Sequence, residues 1–205
     1  MARKSSKKSA SKSVTRRSKA AIPKPPAKSG AAASRKTVKK PAKPAPRRST
    51  TAVPGIGDAA PAFSLKRDGD STVQLADFAG RKLVIFFYPR ADTPGCTLEA
   101  IAFTRLASEF DKADTSVLGM SGDAVSAQTR FRDKHGLCVP LAADADLETI
   151  KAYGAWGEKS MYGRTFLGIV RTTVLVGKDG RLFRIWRKVK VEGHAAEVLE
   201  AAKAL

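Results

Sequence analysis

The sequence predicts an α/β domain with a mixed central sheet flanked by helices on both faces, preceded by a disordered basic tail. Three observations lead to this prediction. Short apolar runs rich in β-branched residues alternate with longer segments of helical periodicity. A Lys-Asp-Gly turn separates two further β-rich runs near the C-terminus, which adds an antiparallel hairpin. All 19 acidic residues lie beyond residue 50.

Residues 1–50 form the predicted tail. They contain 17 of the 38 Lys and Arg residues and no Asp or Glu, so residues 51–205 carry 21 basic and 19 acidic residues, a net charge of only +2. The tail is rich in Lys, Ser, Ala and Pro and has almost no large apolar side chains. It cannot bury enough surface to offset the entropy lost on ordering. We place its junction with the domain near Thr51, where a stretch punctuated by Gly and Pro begins.

The elements of the domain follow in chain order. Residues 82–88 (KLVIFFY) are a continuous apolar run, typical of a central strand buried on both faces. Residues 97–110 have apolar side chains at helical spacing, and residues 115–122 (TSVLGMSG) predict a second buried strand. Residues 124–136 predict a helix that ends at Gly136.

The second half of the domain is predicted on the same grounds. Residues 146–154 predict a short helix with Asp146 as its N-cap and Gly154 as its stop. The hairpin around residues 178–180 follows, and an Ala-rich helix closes the chain at about 194–204. Between the short helix and the hairpin we expect an aromatic-rich loop that lines the core, the mouth of a binding site or a partner surface. Its large side chains are Trp156, Met161, Tyr162 and Phe166.

Composition limits the class of protein. Two cysteines are too few for a secreted disulfide scaffold. No stretch approaches the roughly 18 consecutive apolar residues of a membrane helix, and the N-terminus lacks the apolar core of a secretory signal. We therefore expect a soluble, intracellular protein. His135 and His194 have no clustered acidic or thiol side chains at ligand spacing, so we expect them to cap helices or be solvated rather than to bind metal.

Cys96 is the residue that points to chemistry. It follows a strand and a Pro-Gly turn and opens a helix, where unpaired backbone N–H groups and the positive end of the helix dipole favour the reactive thiolate. A lone cysteine at such a place is more often a small apolar filler. Here, however, residues 89–96 (PRADTPGC) have the P-x-x-x-T-x-x-C pattern and resemble the peroxiredoxin family. The segment TPGCT resembles its bacterioferritin-comigratory or Q-type branch, and residues 57–65 and 153–182 resemble further family segments.

The resemblance implies a thioredoxin-like fold and a thiol-dependent peroxidase that reduces hydrogen peroxide and organic hydroperoxides, with no metal or organic cofactor. By the motif, Cys96 attacks the peroxide and becomes a sulfenic acid. Thr93 would direct its hydroxyl at the peroxide and the thiolate, and its alternative role is to stabilise a turn. Pro89 would pack over the site and exclude water, and its alternative role is to end a strand.

Arg171 matches the family arginine that lies beside the reactive sulfur. Its guanidinium would stabilise the thiolate and donate hydrogen bonds to the peroxide oxygens as negative charge moves onto the leaving oxygen. The backbone N–H groups of Gly95 and Cys96 would complete the anion-binding site.

The sequence departs from the family pattern in the second, resolving cysteine. Ile101 and Arg132 stand where relatives carry it, and Cys138 is the only other thiol. Three interpretations of Cys138 remain open: an inert small residue at the start of a strand, an unusual resolving cysteine within or between chains, and a peripheral redox or modification site. If Cys138 is inert, an external thiol such as glutathione, another small thiol or thioredoxin must reduce the sulfenic acid.

The tail is similar to the Lys/Ala/Pro tails of linker-histone-like proteins. Such a flexible polycation neutralises phosphates without reading bases, so we expect nucleic acid as a partner and a cytoplasmic, nucleoid-associated location, or a nuclear one in a eukaryote. Organelle targeting, contact with an anionic membrane and a solubility role are the alternatives.

The alternative function is a nucleic-acid-associated protein whose peroxiredoxin domain, residues 51–205, is mainly structural or redox-sensing. A thiol:disulfide oxidoreductase is disfavoured because the sequence has no C-x-x-C pair. Both a monomer and a dimer are compatible with the sequence.

Overall fold

The computed structural model describes residues 53–161 and 164–205. The predicted tail, residues 1–50, and Tyr162 therefore lie outside the described residues. The strands are β1 (Ser64–Arg67), β2 (Thr72–Gln74), β3 (Lys82–Phe87), β4 (Thr115–Ser121), β5 (Leu141–Ala143), β6 (Trp156–Met161), β7 (Arg164–Ile169), β8 (Thr172–Val176) and β9 (Leu182–Arg187). The helices are α1 (Pro94–Arg105), α2 (Ala107–Lys112), α3 (Val125–His135), α4 (Glu148–Ala152) and α5 (His194–Ala204). Short 3₁₀ turns follow β1 and β2.

Seven strands form one mixed sheet in the order β2-β1-β5-β4-β3-β8-β9. β3 runs parallel to β4 and antiparallel to β8, and all six of its residues are buried, as the apolar run predicted. β8 and β9 form the predicted antiparallel hairpin, with β9 at the edge of the sheet. The predicted α/β fold with a mixed sheet flanked by helices is therefore confirmed, and the architecture is thioredoxin-like.

Alternate side chains of β3 enter two cores on opposite faces of the sheet. Val84 and Phe86 pack with side chains of α1, α2, α3 and α5. Leu83 and Ile85 point the other way and pack with side chains of α4 and of the strands around it. This two-sided burial explains why the run is continuously apolar rather than alternating.

The helix predicted over residues 97–110 is two helices. α1 begins earlier, at Pro94, because a proline at the first helical position needs no hydrogen-bond donor and has a suitable φ. It ends at Leu106, whose φ of −98° and ψ of 4° leave the helical range, and α2 starts anew.

Two predictions about the segment 146–154 had different outcomes. Gly154 adopts a left-handed φ of 66° just beyond α4, as expected of a stop. Asp146 as N-cap is wrong, because Leu147 precedes the helix and the side chain of Asp144 accepts the N–H of Ile150 at 2.7 Å. The capping oxygen comes from two residues earlier than predicted, since the turn into α4 bends at Leu147 with φ 60°.

The aromatic-rich loop predicted between α4 and β8 is wrong as a loop. β6 and β7 pair antiparallel from Trp156–Ile169 to Met161–Arg164 and form a two-stranded sheet of their own. Phe166 and Leu167 on β7 are exposed. Two glycines, Gly157 and Gly168, face each other in this hairpin and dilute the alternating pattern that normally signals strands.

In the part of the chain that the structure describes, no helix has the length and apolar character needed to cross a membrane.

Candidate active site

Cys96 is the third residue of α1. The residue before the helix, Thr93, has an extended backbone, and its carbonyl accepts the N–H of Thr97 at 2.8 Å. Helix geometry therefore leaves the N–H groups of Gly95 and Cys96 without partners inside the helix, and their predicted role in binding an anion stays a prediction. The Cys96 side chain is only 2% exposed and packs in the same core as Tyr88 and Ala100.

Arg171 lies beside the sulfur, in the place that the family resemblance implied. Its Nη2 donates to Cys96 Sγ at 3.4 Å, and its backbone carbonyl accepts the N–H of Val189 at 3.0 Å, which fixes the residue just before β8. A methyl group at Gly95 would come within 3.3 Å of Arg171 Nη2. The absence of a side chain at Gly95 thus permits the close approach of the guanidinium to the start of α1.

Glu99 completes the arrangement, and sequence reasoning missed it. It lies one helical turn beyond Cys96, its Oε2 pairs with Nη1 of Arg171, and it is 1% exposed. Burial raises the pKa of Glu99 to about 7, although Arg171 opposes the rise. Burial by itself would lower the pKa of Arg171, but the charges of Glu99 and Cys96 raise it above its ordinary value. The i,i+3 spacing from Cys96, which puts both side chains on one helix face, was the available signal.

Thr93 and Pro89 lie at the two ends of the loop that leads into α1. The Thr93 hydroxyl donates to the carbonyl of Arg90 at 2.9 Å, which is the turn-stabilising contact that the sequence left open as its alternative role. Pro89 follows β3 directly and is half-buried. Their predicted roles toward peroxide stay predictions.

A chain of buried hydrogen bonds braces this loop from α3, and no motif indicated it. The Tyr88 hydroxyl donates to Gln128 Oε1, Gln128 Nε2 donates to Ser121 Oγ at 2.8 Å, and Ser121 Oγ donates to Asp123 Oδ2 at 2.8 Å. The same Asp123 oxygen accepts the N–H of Ala91 at 2.7 Å. Every donor points toward Asp123, which as a carboxylate only accepts. Burial raises the pKa of Tyr88, so its hydroxyl keeps the proton that starts the chain.

A second contact joins the loop to the other end of α3. Asp92 accepts from Lys134 Nζ at 2.7 Å and pairs with His135 Nε2 at 2.7 Å, and these hydrogen bonds lower the pKa of Asp92, His135 contributing most. His135 is therefore paired rather than free in solvent.

The predicted solvated or capping role of His194 is wrong. It is buried between Phe103 and Trp186, and its Nε2 lies 2.8 Å from Thr173 Oγ1.

Both cysteines are free thiols, and the structure does not bring them together. Cys138 is exposed and lies in the loop before β5, which begins only at Leu141, so its predicted place at the start of a strand is wrong. Its Sγ contacts the carbonyl of Thr104 at 3.6 Å. Thr104 is eight residues beyond Cys96 on α1, a distance of about 12 Å along the helix, whereas disulfides join Cα atoms less than about 7 Å apart.

In the described residues, no group of three or more His, Cys, Asp or Glu side chains converges as a metal site.

The sequence was compared with models of known protein families. The model of the AhpC/TSA family matches residues 56–185, which is more than half of the chain. The chain belongs to the AhpC/TSA family. Peroxiredoxin Bcp of Xanthomonas campestris is 45% identical over 140 residues, covering 68% of this chain and 88% of that protein. Peroxiredoxin Bcp of Bacillus subtilis is 40% identical over 148 residues, covering 72% of this chain and 94% of that protein.

Solved structures agree with the sequence relatives of this peroxiredoxin. The bacterioferritin comigratory protein of Xanthomonas campestris has a TM-score of 0.66 at 44% identity, covering 69% of this chain and 90% of that one. A mutant of Xylella fastidiosa PrxQ has a TM-score of 0.70 at 38% identity, covering 73% of this chain and 96% of that one. The chain is thus a peroxiredoxin of the Bcp/PrxQ branch, a thiol-dependent peroxidase that reduces peroxides, and the family resemblance of its motif is confirmed.

Proposed function

We propose that Cys96 is the nucleophile of this peroxidase and that Arg171 is the group that activates it. The observation that carries the proposal is the 3.4 Å hydrogen bond from Arg171 Nη2 to Cys96 Sγ. A guanidinium at that distance stabilises the thiolate, the form of cysteine that attacks. It also remains cationic throughout the reaction, because its pKa lies above an already high value.

In the first step the Cys96 thiolate attacks one oxygen of a hydroperoxide. The S–O bond forms, the O–O bond breaks, and sulfur is oxidised by two electrons to a sulfenic acid. The leaving oxygen takes a proton and departs as water or alcohol. Arg171 and the N–H groups of Gly95 and Cys96 stabilise the charge on that oxygen, with Thr93 and Pro89 orienting and shielding the peroxide. We propose hydrogen peroxide and organic hydroperoxides as substrates. The alkyl peroxide reduction activity described for the Xanthomonas campestris relative supports the second class.

In the second step an external thiol attacks the sulfenic sulfur, releases water and forms a mixed disulfide that a second thiol then reduces. The separation of Cys138 from Cys96 along α1 supports this one-cysteine cycle, because a direct disulfide requires unwinding of α1 or movement of the Cys138 loop. Glutathione, another small thiol and thioredoxin are the candidate reductants.

Intact mass after one equivalent of hydrogen peroxide tests both steps. A gain of about 16 or 32 Da identifies an oxidised, unresolved Cys96 and an external reductant. The matched variants are Cys96→Ser, which should gain no mass, and Cys138→Ser, which should behave as the parent does.

Two other results would contradict the proposal. A loss of about 2 Da that disappears in Cys138→Ser would show an intramolecular disulfide and would make Cys138 the resolving thiol. No mass change in the parent chain would remove Cys96 as nucleophile.

We further propose that residues 1–50 hold the enzyme near nucleic acid. The sequence supports this, since 17 basic and no acidic residues lie in that segment while the rest of the chain is near neutral. The rival is a nucleic-acid-associated protein whose domain is structural or redox-sensing. The rival predicts that Cys96→Ser leaves the cellular effect intact, whereas a peroxidase loses it.

A further inference from the structure

A groove lies between the loop that leads into α1 and helix α3. Its volume is about 540 Å³, and its walls are Arg90, Ala91 and Asp92 of the loop and Ala127, Arg130 and Lys134 of the helix, with further side chains of α3 behind them. We call it the loop–α3 groove. It differs from the sulfur site, because neither Cys96 nor Arg171 lines it.

All three carboxylates of the loop–α3 groove are committed to partners. Asp92 is bound by Lys134 and His135, and Asp123 accepts from Ala91 N–H and Ser121. The third, Asp133, accepts both Nε and Nη2 of Arg132 at 2.9 and 2.8 Å. Asp92 and Asp133 are therefore paired with basic side chains, and Asp123 is hydrogen-bonded to neutral donors of the protein.

Two arginines of the groove, in contrast, are uncommitted. Arg90 and Arg130 are exposed and form no side-chain hydrogen bond or ion pair with any residue of the described part of the chain. Arg90 lies on the loop wall and Arg130 on the α3 wall, so one groove is lined by two arginines without partners in the described residues. Guanidinium matches carboxylate in shape and charge, which makes a carboxylate the expected ligand group.

The loop wall of the groove is close to the reactive sulfur. The carbonyl of Arg90 is 2.9 Å from the Thr93 hydroxyl, and Thr93 immediately precedes the helical turn that holds Cys96. The backbone of Arg90 thus lies within roughly 10 Å of Cys96. A molecule the size of a small peptide is therefore long enough to reach from the groove to the start of α1, where Cys96 lies.

We infer that the loop–α3 groove binds the carboxylates of the thiol that reduces the Cys96 sulfenic acid, and that this reductant is a small anionic peptide thiol of the glutathione type. The inference rests on the proposed one-cysteine cycle. The bound thiol attacks the sulfenic sulfur, an S–S bond forms, and the hydroxyl leaves as water with the thiol proton. A second thiol then releases the reduced enzyme as the disulfide of the reductant forms.

The test compares two thiols of equal reach that differ in charge, glutathione and its diethyl ester. The full-length protein is oxidised with one equivalent of hydrogen peroxide, and formation of the mixed disulfide is followed by rapid quenching and intact mass. In Arg90→Gln and in Arg130→Gln we expect the ratio of the glutathione rate constant to the ester rate constant to fall about threefold to tenfold. Arg105→Gln, an exposed arginine of α1 outside the groove, should leave the ratio unchanged.

The ratio separates binding of the carboxylates from damage to the site, because damage slows both thiols equally. An unchanged ratio in both groove variants would overturn the inference, as would a reduction that only a protein thiol such as thioredoxin accomplishes. Failure of the peroxide step, which is measured first, would overturn the proposed function and with it the inference.

Discussion

The Arg171 guanidinium is shared by two side chains of α1 that compete for its charge. One nitrogen contacts the Cys96 sulfur and the other pairs with Glu99. The second oxygen of Glu99, Oε1, is buried without a partner in the described residues. Such a group is costly when charged, which agrees with the raised pKa of Glu99. The ionisation of Glu99 is therefore coupled to the stability of the fold and to the position of Arg171.

We predict that Glu99 makes the fold less stable as the pH rises. Its pKa is raised from 4.5 to about 7, so the favourable contribution is complete below about pH 4.5 and is lost as the pH rises through 7. The loss should be on the order of 3 kcal/mol. Chemical denaturation at pH 5 and pH 8 measures it, and Glu99→Gln should show a smaller difference between the two pH values. An equal difference in both proteins would contradict the raised pKa.

We predict that Gly95→Ala slows the peroxide step and spares the fold. The new methyl group would lie 3.3 Å from Arg171 Nη2 and would displace the guanidinium by a few tenths of an ångström. Small misplacements of this kind lower rates, here by roughly threefold to tenfold. Stopped-flow oxidation by hydrogen peroxide measures the change. Gly157→Ala is the control, since its methyl group would lie at an ordinary contact distance of 3.7 Å from Val170. An unchanged rate in Gly95→Ala would contradict the steric argument.

Helix α3 and the residues just before it hold the loop that leads into α1 at two points. Near its N-terminus the hydrogen-bond chain from Tyr88 ends on Asp123 and fixes Ala91 N–H, and at its C-terminus Lys134 and His135 bind Asp92. Asp92 has a left-handed φ of 59°, which is uncommon outside glycine, and Lys134 and His135 bind its side chain in that conformation. The geometry of the loop thus depends on an element that contributes no side chain to the sulfur.

We predict that Asp123→Ala loosens this loop. The variant leaves Ala91 N–H and Ser121 Oγ without their acceptor, which should reduce the free energy of unfolding by about 1–3 kcal/mol and slow the peroxide step more than tenfold. Asp123→Asn should restore part of the rate, because its amide oxygen can still accept from Ala91. The control is Asp133→Ala, which removes an exposed carboxylate of α3 that pairs with Arg132. If Asn gives no recovery over Ala, the positioning role is wrong.

The elements that the sequence predicted well are either buried throughout or marked by a specific turn. β3 is buried at every residue, and the β8–β9 hairpin has a Lys-Asp-Gly turn with Gly180 at φ 75°. The β6–β7 hairpin lies outside the main sheet and exposes Phe166, so no alternating buried face was available to indicate it. α1 begins at Pro94 rather than after the predicted Pro-Gly turn, because proline is favoured at a first helical position.

The candidate site was predicted as far as its motif extends. Cys96 and Arg171 lie 75 residues apart in sequence, and only the family resemblance joined them before the structure brought them within 3.4 Å. Glu99 and Asp123 form their contacts only when α1, α3 and the loop are packed together, and the two arginines of the groove come to line one space only then. Spacing along one chain cannot reveal such contacts between elements.

The chain joins a near-neutral enzyme domain to a segment that carries 17 basic and no acidic residues. The match with the Xanthomonas campestris relative covers 88% of that protein but only 68% of this chain. The peroxidase part of this chain therefore corresponds to most of the relative. We therefore expect the two properties to separate. Deleting residues 1–50 should leave the rate of the peroxide step unchanged, as stopped-flow oxidation of both proteins would measure.

DNA binding, in contrast, should depend on the deleted segment and on salt. If the basic residues neutralise about 6–10 phosphates, the affinity of the full chain for duplex DNA should fall roughly 10³–10⁵-fold between 50 and 200 mM salt, because each contact releases counterions. Fluorescence anisotropy with two unrelated duplexes of equal length measures this, and both should bind alike since phosphates carry no sequence. The deletion variant should bind neither. Binding that survives the deletion would locate the nucleic-acid surface on the domain, and binding that ignores salt would exclude the phosphate mechanism.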